Sequence, residues 1–186
     1  MPKFKKWKLL STDDVSPSTF FPIEKRSYLR PDGVVVDDFF IDRLADPAHV
    51  VAITKEGKIV MIRMYKQGTN ELMIQFPAGR HEIKKHNSLK ETARFELEEE
   101  AGISVSMDNL EFVGKIAEGT TKSTAVAHAF FVKNVEFNSQ QKLDENEEVE
   151  ILLLSPKEID NYIKEGKIWD ATAISIWQLV KLRGFI

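Results

Sequence analysis

Residues 49–65 hold two runs of aliphatic and β-branched side chains, VVAIT and IVMIRMY, separated by Lys55-Glu56-Gly57-Lys58. A polar break that short, with a glycine in it, permits only a turn, so the runs read as strands at about 49–54 and 59–65. Three further runs, LEFVGKIAEG, AVAHAFFVKNV and VEILLLS, supply more strands. The N-terminal stretch FFPIEKRSYLRPDGVVVDDFFIDRL adds a strand layer in which Pro31-Asp32-Gly33 marks a hairpin-type turn. A helix is expected to begin after Ser88, where Ser88-x-x-Glu91 fits a capping box, and to stop at Gly102. Ser155-Pro156-Lys157-Glu158 opens a second helix. A third runs from about Asp170 to Lys181, ended by Gly184, with Ile174, Trp177, Leu179 and Val180 available to pack inward. Strands, helix, strands, helices in that order give an α/β fold with a mixed sheet. At 186 residues without a linker-like stretch, one compact domain is the default.

Net charge narrows the function classes. At −3 the chain has no global basic field to hold a nucleic-acid polymer through its phosphates, while a single anionic nucleotide could still bind locally. No stretch approaches about 18 apolar residues, so neither a signal peptide nor a membrane span is expected. The absence of cysteine removes disulfides, thiolate metal sites and cysteine nucleophiles together, which suits a cytoplasmic location.

Within FELEEEAG, Glu96, Glu98, Glu99 and Glu100 put four carboxylates into five positions of one expected helix. At about 100° per residue, Glu96 and Glu100 lie about 40° apart on the helix wheel with Glu99 beside them, while Glu98 points away. Leu89, Ala93 and Leu97 form an adjoining apolar stripe, which puts the cluster at the edge of the buried face. Like charges so placed repel, and a hard cation reverses the sign of that interaction; Mg2+ suits such oxygen ligands, with Mn2+ as the alternative. A solvated acidic face is the bland reading of the same residues. Beside the helix, Pro77-Ala78-Gly79 offers a backbone carbonyl, and Gly79 permits close approach of the chain to a ligand.

Loop and helix together, FPAGRHEIKKHNSLKETARFELEEEAGI, resemble the signature of the Nudix hydrolases. Gly79 falls on its opening glycine, and Glu96, Leu97, Glu99, Glu100, Gly102 and Ile103 on its last portion. Two positions depart. Phe95 stands at the signature's arginine, and Asn87 at its earlier glutamate, after about two extra residues in the loop. In the family those two side chains form an ion pair that helps hold the loop to the helix. LRPDG, IVMIRMYKQG, QFPAG, AEGTTKSTAVAHAFF and EGKIWDATAISIWQL resemble landmarks of the ADP-ribose pyrophosphatase branch.

The resemblance implies a Nudix-type α/β/α sandwich with a mixed β-sheet and an N-terminal antiparallel strand layer. Residues 1–45 would be the strand region and dimerisation element of a homodimer, and 46–186 the Nudix domain. It further implies hydrolysis of a small nucleotide substrate, ADP-ribose or a related nucleotide sugar. Ala78 through its carbonyl, Glu96, Glu100 and Glu147 would hold the metal. Glu145 would orient or deprotonate the attacking water, and Glu99 would be a further ligand or a support. Lys66, Gln75 and Gly79 are the expected substrate contacts. Met64-Tyr65-Lys66 replaces the branch's usual Gln-Tyr-Arg, Gln75 its glutamate before Pro-Ala-Gly, and Glu118 a proline in the loop after the signature. With Phe95 and Asn87, these departures leave a second reading open, a catalytically impaired Nudix fold that binds a nucleotide or a protein. The histidines at 49, 81, 86 and 128 lack metal-site spacing, and His128 in an apolar run reads as structural.

Overall fold

A computed structural model describes residues 4–186. The chain divides into two compact units. The first comprises the described residues up to Ala45 together with Ala117–Ala125, so a later loop joins the N-terminal strands. Its sheet is antiparallel, in the order β1 (Lys8–Asp14), β2 (Ile23–Leu29), β3 (Val35–Asp42). The Pro31-Asp32-Gly33 turn joins β2 to β3, with Gly33 at φ 88°. Trp7, Tyr28 and Phe39 meet edge to face, at centroid separations from 5.6 to 6.4 Å.

The second unit carries the remaining elements: β4 (Pro47–Thr54), β5 (Ile59–Lys66), β6 (Glu71–Gln75), β7 (Ala78–Arg80), α1 (Leu89–Ala101), β8 (Glu111–Ala117), β9 (Val126–Val135), β10 (Val149–Leu154), α2 (Pro156–Lys164) and α3 (Ala171–Leu182). The sheet runs β10-β5-β4-β9-β8, with β6 paired to β5 and β7 to β4. Only Ile53 and Ala52 of β4 pair with β5, at Ile59 and Val60; beyond them the two strands take separate partners, β7 and β6. β4 and β9 are parallel and β4 and β7 antiparallel, so the sheet is mixed.

Alternation along β4 explains the layers. Ala48, Val50 and Ala52 face Ala93, Leu97 and Ala101 of α1, whereas Val51 faces the opposite core with Ile159 of α2 and Ala173, Ile176, Trp177 and Val180 of α3. This is the expected α/β/α sandwich. Ile174 and Leu179, expected to pack inward, are only partly buried, because the central stripe of α3 is Ala173, Ile176, Trp177 and Val180. Trp177 Nε1 donates to Asp160 Oδ1 at 2.7 Å, tying α3 to α2.

Both capping serines accept a backbone N–H from the third residue on. Only Ser155-Glu158 forms the full reciprocal box. At α1 the Glu91 carboxylate instead accepts from the N–H and Nδ2 of Asn87, at 2.6 and 3.0 Å, which corrects the expectation of a complete box there. A second correction is β7. Ala78 and Gly79, expected in a loop over Phe76–Gly79, instead form a strand with Arg80 because Pro47, Ala48 and His49 offer it an edge.

Candidate active site

β7 is where the backbone meets the acidic helix. The bonds Val50 N–H to Pro77 O and His81 N–H to Asp46 O fix the pairing alternation. Ala78 therefore faces His49 at a non-hydrogen-bonded position, where its N–H and C=O both point away from β4. That N–H donates to Glu100 Oε2 at 2.7 Å. The carbonyl of Ala78 is left on the same outward edge.

Glu96 and Glu100, four residues apart on α1, crowd onto this edge. Glu100 is 4% exposed. A Cβ placed on Gly79 would overlap the Glu96 carboxylate, so only glycine lets that group lie against β7. Burial, then the charges of Glu99, Glu147 and Glu82, push the Glu96 carboxyl up to about 7. Burial likewise pushes Glu100 up to about 8; the Ala78 N–H and the Lys66 charge oppose it, and Glu96 and Glu147 add to it. Glu99 is exposed, and Glu98 is turned aside to Arg94, Ser104 and Ser139, as its place on the wheel predicts.

The acidic loop is fastened to the end of the same helix. Orphan carbonyls at the α1 C-terminus find donors in one downstream segment: Glu99 O accepts from Lys142 N–H, Glu100 O from Gln141 Nε2 and Gly102 O from Ser139 N–H. Gly102, at φ 65°, leaves room for the Ser139 carbonyl, which a Cβ would meet at 2.9 Å. From this anchor the chain continues into Asp144–Glu148. Glu145 and Glu147 line a cavity of about 430 Å3 with Met64, Tyr65 and Lys66 of β5. Of the expected substrate contacts, Lys66 thus lies at the cavity and Gly79 beneath Glu96, whereas Gln75 is buried with its Nε2 3.7 Å from Met64 Sδ.

Among the described residues no three His, Asp or Glu side chains are assembled into a closed metal cage. The donor chemistry nonetheless fits a hard divalent cation. Buried Glu100 and half-buried Glu96 are raised by desolvation and by neighbouring acidic charges, Glu147 bears on both, and a backbone carbonyl faces the same edge. An entering cation would ionise the carboxyls and offset the repulsion, and Mg2+ in such sites keeps several waters rather than demanding a full protein cage.

A NUDIX domain profile matches residues 44–175, a span containing the acidic helix, β7 and the acidic loop. The chain belongs to the NUDIX family. It is similar to a methanol dehydrogenase activator of Bacillus methanolicus, 30% identical over 135 residues that make up 72% of this chain and 71% of that one. An ADP-ribose pyrophosphatase of Bacillus subtilis (strain 168) is 24% identical over 135 residues, with the same coverage. The crystal structure of an ADP compounds hydrolase matches the fold with TM-score 0.83 at 20% identity, over 100% of both chains. The resemblance read in the sequence is borne out: this is a Nudix hydrolase, similar to the ADP-ribose pyrophosphatase-like branch.

In this NUDIX domain the histidines have jobs that their spacing does not reveal. His49, on β4 opposite Ala78, is buried, and its Nε2 is the one buried side-chain nitrogen or oxygen among the described residues without a hydrogen-bond partner. Burial, then the charges of Lys66 and Arg80, lower it to about 4, so it is neutral at pH 7. His81 and His86 both reach Thr92 on α1, at 2.8 and 3.1 Å. His128 pairs with Asp46 at 3.5 Å, the structural part expected of it.

Proposed function

We propose that this protein hydrolyses the pyrophosphate of a nucleoside diphosphate linked to a second group, with ADP-ribose as the first substrate to try. The single observation that carries the reading is the carboxylate pair of buried Glu100 and half-buried Glu96, set against the backbone of Ala78 and Gly79 and raised by burial and neighbouring acidic charges that Lys66 and Lys85 offset only in part. Of the two curated relatives, the second carries a substrate in its name, and ADP-ribose is taken from it.

Glu96, Glu100, Glu147 and the Ala78 carbonyl hold Mg2+ or Mn2+, with Glu99 supporting them. A bound divalent cation neutralises pyrophosphate oxygens and lowers the pKa of water. Glu145, on the wall of the cavity, orients the attacking water and takes its proton. The water oxygen bonds to one phosphorus, the bridging P–O bond breaks, and the bridging oxygen leaves with the other phosphate; ADP-ribose gives AMP and ribose 5-phosphate. Lys66 meets a phosphate as a point charge, lacking the bidentate fork of an arginine. Gly79 lets β7 lie close to the ligand, and Gln75, buried against Met64 on the strand of Lys66, is the least direct of the expected substrate contacts.

We propose also that the protein acts in the cytoplasm as a homodimer through residues 1–45. No helix among the described residues is long and apolar enough to cross a membrane. A screen of ADP-ribose, other nucleotide sugars, dinucleoside polyphosphates and nucleoside triphosphates with each metal tests the reading. Product from a diphosphate-linked substrate is expected. Nucleotide binding with no hydrolysis across the panel would favour the impaired-domain alternative, which draws on Phe95 and Asn87. Support for catalysis over that alternative comes from the contacts that take the place of the family's ion pair.

A further inference from the structure

Phe95 and Asn87 remove both ends of the ion pair that holds loop to helix in the family, yet residues 81–88 remain fastened to α1. Asn87 and Ser88 bond to Glu91 at the start of the helix, and the rest of the fastening converges on Thr92, which is fully buried. Its Oγ1 donates to Ser88 O at 3.3 Å and lies 2.8 Å from His81 Nδ1 and 3.1 Å from His86 Nδ1. A hydroxyl has one proton and two acceptor lone pairs. Assigning that proton to Ser88 O leaves both lone pairs to accept, and the two imidazoles are then assigned as Nδ1 donors. The His86 ring also stacks on Phe95, with centroids 4.7 Å apart and planes 15° from parallel. The Arg94 guanidinium sits 4.0 Å from the Phe95 centroid and pairs with Glu98 at 3.3 Å. At the near end of the loop, His81 N–H is bonded to Asp46 O, which ties the residue after β7 to the start of β4.

We infer that Thr92, gripping His81 and His86, replaces that ion pair and is the positioning residue that keeps β7 against Glu96. One hydroxyl joins the two ends of the loop, and the histidine at the β7 end lies two residues beyond Gly79, over which the Glu96 carboxylate rests. Freeing the loop lets Gly79 drift from that carboxylate, and the metal-binding edge opens without loss of the core. The hub rests on the metal-hydrolase reading only for its consequence in catalysis; its grip on the loop stands apart from it.

The test compares Thr92→Val, which keeps the shape and removes the hydroxyl, with Thr92→Ser, which keeps the hydroxyl. Amide hydrogen exchange over residues 80–88 reads the grip directly. Mn2+-dependent turnover of ADP-ribose reads its effect on the site. In Thr92→Val, exchange over 80–88 should rise by about tenfold or more while residues 97–101 keep their protection. Its kcat should fall by about tenfold, with KM within about twofold. Thr92→Ser should restore both. If Thr92→Val does not fold, His86→Leu must loosen the same segment. Unchanged exchange in the variant that folds, or a Ser variant as loose as the Val one, overturns the inference. A wild type that hydrolyses nothing refutes the functional reading instead, and the exchange data still decide the hub.

Discussion

The backbone N–H of Ala78 donates to Oε2 of Glu100 at 2.7 Å. This bond couples a three-residue strand to the acidic helix. It also stabilises a carboxylate that burial otherwise drives toward its neutral form.

Stability should therefore depend on pH in a specific direction. Glu96 and Glu100 rise from 4.5 to about 7 and about 8 in the folded chain. Between those limits the folded state holds more protons than the unfolded one, so metal-free stability falls as pH rises through the window. His49 acts oppositely: lowered from 6.5 to about 4, it costs stability as pH falls through that interval. From pH 6.5 to 8 the carboxylates act without it. The metal-free Tm should fall across that interval and flatten in Glu100→Gln, read by circular dichroism; a metal-free Tm that climbs there refutes the assignment. Added Mg2+ should stabilise more at the upper end, because its ligands must be deprotonated.

Gly79→Ala should spare the fold and damage the site. The atom that a new Cβ meets belongs to the end of the flexible Glu96 side chain, and φ at Gly79 is not positive, so Glu96 yields rather than the backbone. We expect Tm within a few degrees of wild type and metal-dependent turnover lower by about tenfold or more. Turnover at the wild-type level would mean that Glu96 works from elsewhere.

The two loop glutamates should separate by their kinetics. Glu145→Gln removes the proton acceptor and should lower kcat by about 10² to 10⁴-fold at saturating metal. Glu147→Gln should instead raise the metal concentration needed for half-maximal rate, since Glu147 bears on both Glu96 and Glu100. Titrations of rate against Mg2+ distinguish them, and identical profiles would contradict the division of roles.

Lys66→Ala should raise KM by about tenfold, the order of one charge-assisted contact. Because the Lys66 charge lowers the Glu100 carboxyl, its loss should also move the metal requirement toward higher pH. A KM unchanged across pH 6 to about 9 would remove Lys66 from the substrate site.

What could be read from the sequence was whatever local chemistry dictates. Ser88 and Gly102 bracket α1 as expected, and the wheel separates Glu96 and Glu100 from Glu98. Distant partners were harder. β7 is three residues long, and only its register with Pro47, Ala48 and His49 makes it a strand. The structural role of His81 and His86 was hidden because their common partner, Thr92, lies eleven residues from one and six from the other. Thr92 itself carries no sequence signal beyond a polar residue between apolar helix positions. The anchoring of the acidic loop was also hidden, since Gln141 and Lys142 satisfy carbonyls that any helix end exposes.

The most direct measurement follows ADP-ribose with saturating Mg2+ or Mn2+, wild type beside Glu100→Gln, with phosphate-containing products resolved by 31P NMR. The account predicts AMP and ribose 5-phosphate from the wild type, none without metal, and none from a Glu100→Gln protein that melts as a folded chain. Equal product from Glu100→Gln, or hydrolysis by the wild type that persists after metal is chelated, would contradict it.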